Sequence, residues 1–183
     1  MPVMLDLFAG RGGASRAMRE RGWTVVTVDM DPRFDCTHTS DVTLFSWAGG
    51  PVDLLWASPP CTEFSRESMP WCKTGRRPSV DCVLATLRLV HEVQPTWWVL
   101  ENVRGAQPWI GRLLGPSRLR TGPVYLWGQL PPVLLSVVRP WKEKTTGKRP
   151  DLRAELPYEL SYQIAVAVER SARPATPAKG AEE

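Results

Sequence analysis

Val3-Met4-Leu5-Asp6-Leu7-Phe8-Ala9-Gly10-Arg11-Gly12-Gly13 runs from a short apolar segment straight into a cluster of glycines. Such a segment reads as a strand buried on both faces, closing on a tight turn. Outward from it, Gly12 to Gly22 carries Ala14, Ala17 and Met18 at positions that suit one face of a helix, and Gly22 suits its stop. Thr24 to Asp29 is the next apolar, β-branched run, which completes a strand, turn, helix, strand unit. Val52 to Ser58 and Thr96 to Val103 repeat the pattern, and between them Val80, Val83, Leu84, Leu87 and Val90 recur at helical spacing from about Val80 to Val93. Strands alternating with helices predict an open, mostly parallel α/β sheet covered on both faces.

The later sequence changes character. Pro123 to Leu130 and Val133 to Val138 are extended apolar runs joined through Pro131-Pro132, which predicts an antiparallel hairpin at one edge of the sheet. Glu155 to Ala172 reads as a helix with Leu160, Ile164 and Val168 on one stripe. Beyond Arg173 the Pro/Ala/Lys/Glu-rich sequence has nothing to bury, so residues 1–172 are expected to form a single catalytic domain and 173–183 a disordered tail. A chain of 183 residues has room for one domain with a real core and hardly for two. No apolar run approaches the roughly 18 residues of a membrane span, and no secretory leader is visible, so a cytoplasmic protein with no membrane association is expected. The formal charge of +4 is compatible with a polyanionic partner. Its distribution says more, because Arg112, Arg118, Arg120, Arg139, Lys142, Lys144, Lys148, Arg149 and Arg153 crowd the second half.

In an open α/β sheet ligands bind at the carboxyl ends of the strands. The glycines after the first strand let the backbone turn and bring its amides close to a ligand carboxylate. Asp29 ends the second strand, where a carboxylate can accept from both ribose hydroxyls of a nucleoside cofactor. A bare turn and a strand cap would give the same residues, but a glycine loop and an acid on successive strands favour the cofactor. The third strand delivers Ser58-Pro59-Pro60-Cys61 to the same edge, with two prolines stiffening the approach of a sulfur that must be aimed at one atom. The fourth delivers Glu101-Asn102-Val103, a carboxyl at the next strand end.

With these residues in this order, the chain resembles the cytosine-5 DNA methyltransferases. Asp6 to Gly13 is similar to the family's first cofactor motif, Asp29 and Asp41 to the next two, Pro59-Pro60-Cys61 to the nucleophile motif and Glu101-Asn102-Val103 to the acid motif. The likeness covers most of residues 3 to 103, and Glu155 to Arg170 looks like the C-terminal helix that completes the cofactor pocket. The resemblance implies a Rossmann-like S-adenosylmethionine-dependent fold, S-adenosylmethionine as cofactor with no metal, and DNA as partner. It implies that Cys61 adds to carbon 6 of a flipped cytosine while Glu101 hydrogen-bonds at ring nitrogen 3, so that carbon 5 takes the methyl group. Glu101 would have to hold a proton, which a desolvated pocket favours.

By the same resemblance Asp6, Phe8, Ala9, Gly10, Gly12, Gly13, Asp29, Met30, Asp41, Val42 and Pro59 would hold the cofactor. Ser58, Pro60, Ser65, Asn102, Arg118 and Lys142 would meet the substrate, and Arg120 would join Cys61 and Glu101 as a catalytic group. The family's arginine motif is not matched residue by residue: Ser117-Arg118-Leu119-Arg120 is the nearest stretch, and a solvated charge is an equal reading of Arg120. Only Gln129 to Ala154 separates this region from the last helix, which leaves no room for a separate recognition domain. Reading of DNA would then fall to loops such as Arg66 to Arg77 and Arg139 to Arg153, where Trp71 and Trp141 either stack on bases or simply pack. Cys36, Cys72, Cys82, His38 and His91 show no metal-ligand spacing and read as incidental. Two rivals remain: the same chemistry on tRNA or a free cytosine nucleotide, and a non-catalytic cofactor-binding regulatory or partner subunit. A phage setting is expected from the small size, and the oligomeric state stays open.

Overall fold

The structure, a computed structural model, describes residues 1–65, 77–132 and 156–171. The chain enters in the middle of a seven-stranded sheet with β1 (Val3–Leu7), whose Met4, Leu5 and Leu7 are fully buried. A short helix α1 (Arg16–Glu20) leads to β2 (Thr24–Asp29), and β3 (His38–Thr39) adds a two-residue edge. The chain then returns to the other side of β1 with β4 (Leu54–Ala57). After α2 (Thr62–Ser65) and α3 (Asp81–Val93) comes β5 (Trp97–Val103). A 3-10 turn over Arg104–Ala106 and α4 (Gln107–Leu114) precede β6 (Leu119–Thr121) and β7 (Val124–Gln129). Helix α5 (Tyr158–Ser171) follows.

The sheet order is β3-β2-β1-β4-β5-β7-β6, parallel from β3 to β5, with β7 antiparallel to both β5 and β6. This is the expected Rossmann-like α/β architecture with an antiparallel hairpin at one edge. Because β1 connects outward to β2 while β4 lies on its other flank, the order reverses between β1 and β4. A crevice opens at the carboxyl ends of strands where such a reversal occurs.

Helices cover both faces. On one, Ala17 and Met18 of α1 and Leu160, Ile164 and Val168 of α5 pack on Met4, Leu54, Trp56, Val99 and Leu126. On the other, Val83, Ala85 and Leu89 of α3, Phe64 of α2 and Ile110 of α4 cover Leu5, Leu55, Leu100 and Trp127. Helix α5 is fastened to α1 by buried polar contacts: the Ser161 hydroxyl donates to the Ala14 carbonyl (2.6 Å) and accepts from the Ala17 amide (3.2 Å). At the far end Glu169 accepts from Arg21 Nε (2.9 Å) and Trp23 Nε1 (2.9 Å). No helix among the described residues is long and apolar enough to cross a membrane.

The hairpin among the described residues is formed by β6 and β7. Strand β7 turns back on β6 through Gly122-Pro123, with Gly122 at φ 55°, a left-handed value glycine adopts without penalty. Strand β7 pairs with β5 along its length and with β6 over Val124 to Leu126; the expected partner, Val133 to Val138, lies outside the described residues. The last helix begins at Tyr158 rather than Glu155, after Pro157, and the tail from 172 also lies outside the described residues.

Candidate active site

At the end of β1 the backbone turns through three positive φ angles, at Phe8 (58°), Gly10 (52°) and Gly12 (75°). The Ala9 amide donates to the Val28 carbonyl (3.1 Å) and the Gly12 amide to the Ala9 carbonyl (2.8 Å), which locks the turn against β2. Left-handed geometry is uncommon for a bulky residue, and Phe8 is held in it by packing on the core beneath α3. Gly12 stands at φ 75°, where any side chain is strained, which favours glycine in the turn. Asp29 sits beside it: one carboxylate oxygen accepts from the Gly10 amide (2.9 Å), the other from the Asp31 amide (2.9 Å). Each oxygen keeps a further lone pair for a ligand hydroxyl.

Asp6 is 1% exposed, and neither of its carboxylate oxygens has a hydrogen-bond partner among the described residues. Burial pushes its pKa up to about 7 against the lowering influence of Ser15 and Arg19. An orphaned buried carboxyl beside a glycine turn fits a cationic ligand such as the sulfonium and ammonium of S-adenosylmethionine, because leaving it unpaired is costly. Met30 is exposed next to Asp29. Asp41 is turned inward on its own loop, with Oδ1 accepting from the Thr43 amide (2.9 Å) and hydroxyl (2.8 Å). Val42 is buried in the core cluster covered by α3. Arg88 of α3 fixes this loop by donating to the carbonyls of Val42 (3.3 Å), Thr43 (3.4 Å) and Phe45 (2.7 Å), a role its helix position did not signal.

The edge formed by β4 and β5 is joined by one side chain. Asn102, 1% exposed, donates from Nδ2 to the Pro59 carbonyl (3.0 Å), and its Oδ1 accepts from the Val103 amide (2.9 Å). The acid strand thereby grips the backbone two residues before Cys61. Cys61 is half-buried, and its carbonyl accepts from the amides of Phe64 (3.1 Å) and Ser65 (2.9 Å), so the nucleophile candidate opens α2. Pro59 is buried and Pro60 exposed. Gly105 completes the joint: a side chain there would stand 2.2 Å from the Phe64 carbonyl oxygen.

Glu101 keeps partial exposure as a residue, while burial of its carboxyl pushes its pKa up to about 7, against the lowering influence of the neighbouring Ser58. Strand register sets the geometry of the two acids. Asp6 pairs with Trp56, Trp56 with Val99, and Glu101 lies two residues further along β5, so Asp6 and Glu101 share the face covered by α1 and α5. With neighbouring strands about 4.8 Å apart, their Cα atoms stand roughly 12 Å from each other across the switch point.

Arg120 is not part of this grouping. It pairs with Tyr125, and Tyr125 with Asn102, so it lies on the face opposite Glu101. Its guanidinium sits 5.2 Å from the Tyr125 ring centroid, and Nε donates to the Gly122 carbonyl (3.3 Å). The reason is the two-residue alternation of β6, a strand the sequence did not reveal. Arg118, two residues earlier, lines a cavity of about 610 Å³ with Trp98, Gly128 and Gln129, toward the amino end of β5 and away from the acid. Lys142, Lys144, Lys148, Trp71, Trp141 and Cys72 lie outside the described residues.

Comparison with known proteins adds the following. The profile of the C-5 cytosine-specific DNA methylase family matches residues 3–108. The type II methyltransferase M.AquIA of Picosynechococcus sp. is 30% identical over 131 residues, which is 58% of this chain and 50% of that protein. The type II methyltransferase M.XorII of Xanthomonas oryzae pv. oryzae is 32% identical over 128 residues, 57% of this chain and 28% of that protein. The chain thus spans half the length or less of these curated relatives. Among solved structures, the Entamoeba histolytica methyltransferase EhMeth superposes with a TM-score of 0.49 at 15% identity, over 74% of this chain and 55% of that one.

Proposed function

This chain belongs to the C-5 cytosine-specific DNA methylase family, and on that premise we propose that it methylates carbon 5 of cytosine in DNA through a covalent adduct at Cys61. The observation that carries the reading is the joint between Asn102 and Pro59, which ties a carboxyl with a pKa near neutrality to the segment bearing the cysteine. Cys61 as thiolate forms a bond to carbon 6 of the ring, and the displaced electron pair moves toward nitrogen 3. Glu101 meets it there with its proton. A pKa of about 7 suits this task, since the acid is substantially protonated at neutral pH yet gives its proton up readily. Carbon 5, now an enamine carbon, becomes nucleophilic. S-adenosylmethionine, when bound, supplies an electrophilic methyl group; Asp6, Asp29 and the amides of the turn from Ala9 to Gly13 would hold it. Loss of the carbon 5 proton, departure of the Cys61 thiolate and return of the nitrogen 3 proton to Glu101 then restore the ring. In a duplex the base must first leave the stack.

Incubation with methyl-labelled S-adenosylmethionine and separate pools of DNA, tRNA and deoxycytidylate tests the reading. Label in 5-methylcytosine of DNA is the expected result. Label confined to RNA or nucleotide would overturn the substrate, and label in none would favour a cofactor-binding subunit.

A further inference from the structure

Strand β3 runs parallel to β2 with Thr39 beside Asp29, and the Ser40 amide donates to the Asp29 carbonyl (2.9 Å). Asp41 therefore stands at the carboxyl edge of the sheet, beyond the end of β3 and beside the strand that ends in Asp29. Val42 and Phe45, both buried, seat the turn that follows, while Leu44 at its tip is exposed. Its carbonyls face α3: Arg88 Nη2 donates to those of Phe45 (2.7 Å), Val42 (3.3 Å) and Thr43 (3.4 Å). Glu92, one helical turn on, holds the other end of the guanidinium, its two oxygens accepting from Nη1 at 2.8 and 2.9 Å.

In a trans peptide the carbonyl and the amide that follows it point in opposite directions. The two peptides whose oxygens meet Arg88 at Val42 and Thr43 accordingly turn their N–H groups to Asp41. The Thr43 amide donates to Asp41 Oδ1 (2.9 Å) and the Leu44 amide to the Asp41 carbonyl (3.0 Å), while the Thr43 hydroxyl adds a second bond to Oδ1 (2.8 Å). A cation at one end of a peptide strengthens the donor at the other, so Arg88 acts on Asp41 through two peptide planes. Among the described residues Oδ2 takes no hydrogen bond. We propose that Arg88 is a positioning residue that makes the cofactor site selective for a 6-aminopurine. By locking the turn it fixes Asp41 with Oδ2 as the oxygen left for a ligand, and a carboxylate oxygen only accepts. An exocyclic amino group satisfies it; the 6-oxo group of hypoxanthine would set acceptor against acceptor. The inference rests on S-adenosylmethionine as the cofactor and extends that reading to a residue of another element.

The test is titration calorimetry of the full chain, without DNA, against S-adenosylhomocysteine and S-inosylhomocysteine, which differ at position 6 of the purine. Wild type should prefer the adenine ligand by about tenfold to a hundredfold, the range of one hydrogen bond to a charged group. Asp41→Asn removes that preference, because an amide offers a donor as well as an acceptor. Arg88→Met removes most of it too, and the loss falls on S-adenosylhomocysteine alone. Arg88→Lys, which keeps a cation for the Phe45 carbonyl, retains the larger part. A residue that merely lends stability would weaken both ligands in parallel; that outcome, or a preference untouched by Arg88→Met, overturns the inference. Should Arg88→Met fail to fold, Glu92→Gln decides in its place: with the guanidinium loosened, a smaller drop in preference is expected, and an unchanged preference overturns the inference. The two readings fail separately. Wild type that binds neither ligand, or a preference indifferent to Asp41→Asn, sinks the cofactor assignment, whereas a preference lost in Asp41→Asn and kept in Arg88→Met sinks the role of Arg88 alone.

Discussion

Asp6 and Glu101 share a face of one sheet and are each pushed to about 7 by burial, yet they are embedded in opposite ways. Asp6, under the glycine turn, has no hydrogen-bond partner among the described residues. Glu101, at the end of β5, lies beside Ser58 in the parallel register, and its strand is bolted to the cysteine segment by Asn102. The difference teaches what each end is built to do. A carboxyl left unpaired in the core awaits a positive charge from outside, whereas a carboxyl whose strand is joined to the cysteine segment is set up to move a proton.

The comparison breaks first at turnover. Glu101→Gln should lower kcat by roughly 10²- to 10⁴-fold, the usual span for loss of a general acid, while leaving the Kd for S-adenosylmethionine unchanged. Equilibrium dialysis beside single-turnover methylation reads both, and a parallel fall in cofactor affinity would merge the two ends into one function.

Asp6→Asn should behave in the opposite sense. Cofactor affinity falls by about tenfold to a hundredfold, as expected for one lost charge-assisted contact, and kcat at saturating cofactor changes little. In wild type that affinity should rise with pH through about 7, as Asp6 becomes ionised, and the asparagine variant should lose that dependence. Titration calorimetry across pH 6 to 8 checks this; equal pH dependence in both proteins would remove Asp6 from the cofactor site.

Stability sharpens the same contrast. The folded pKa of Asp6 lies above its ordinary 3.8 and that of Glu101 above its ordinary 4.5, so the folded protein binds protons that the unfolded chain has released. Both groups therefore favour folding most below about pH 4, and that advantage drains away as pH rises and is gone above about 7. For Asp6 the change is on the order of 4 kcal/mol. Denaturant melts from pH 4 to 8 should show the decline in wild type, a flatter curve in Asp6→Asn, and recovery at pH 8 when S-adenosylmethionine is added to wild type. A wild-type stability that climbs over this range would contradict the assignment of either acid.

Smaller effects come from the joint. Asn102→Ala strands the buried Pro59 carbonyl and should cost about 1–3 kcal/mol, with kcat reduced and cofactor affinity kept. Gly105→Ala forces the turn after β5 away from Phe64 and should cost about 1–3 kcal/mol. Thermal melts and methyl-transfer rates measure both, and activity retained in full would show that the cysteine segment does not depend on this joint.

Much of this was legible in the sequence because the first four parallel runs each combine an apolar stretch with a polar or glycine ending. Strands β1, β2, β4 and β5 fall within two residues of the expected limits at each end, and α3 starts one residue later than expected. What failed was short or masked. Strand β3 is two exposed residues, and β6 is three, with a threonine as its buried member, so neither shows an apolar alternation. Helix α4 carries Pro108 and Gly111, which read as breaks although proline is tolerated in a first turn. Missing β6 left its pairing with β7 unforeseen and the face of Arg120 undetermined. Positions lying far apart in the chain, such as Arg88 on the 42–45 carbonyls, leave no local periodic signal.

The most direct test incubates wild type and Cys61→Ser with S-adenosylmethionine and DNA containing 5-fluorocytosine, then weighs the denatured protein. Fluorine blocks the final proton loss, so wild type should retain a methylated DNA adduct that maps to the peptide bearing Cys61, and the serine variant should retain none. An adduct in both, or 5-methylcytosine formed on ordinary DNA with no adduct on the fluorinated one, would contradict covalent attack by this cysteine.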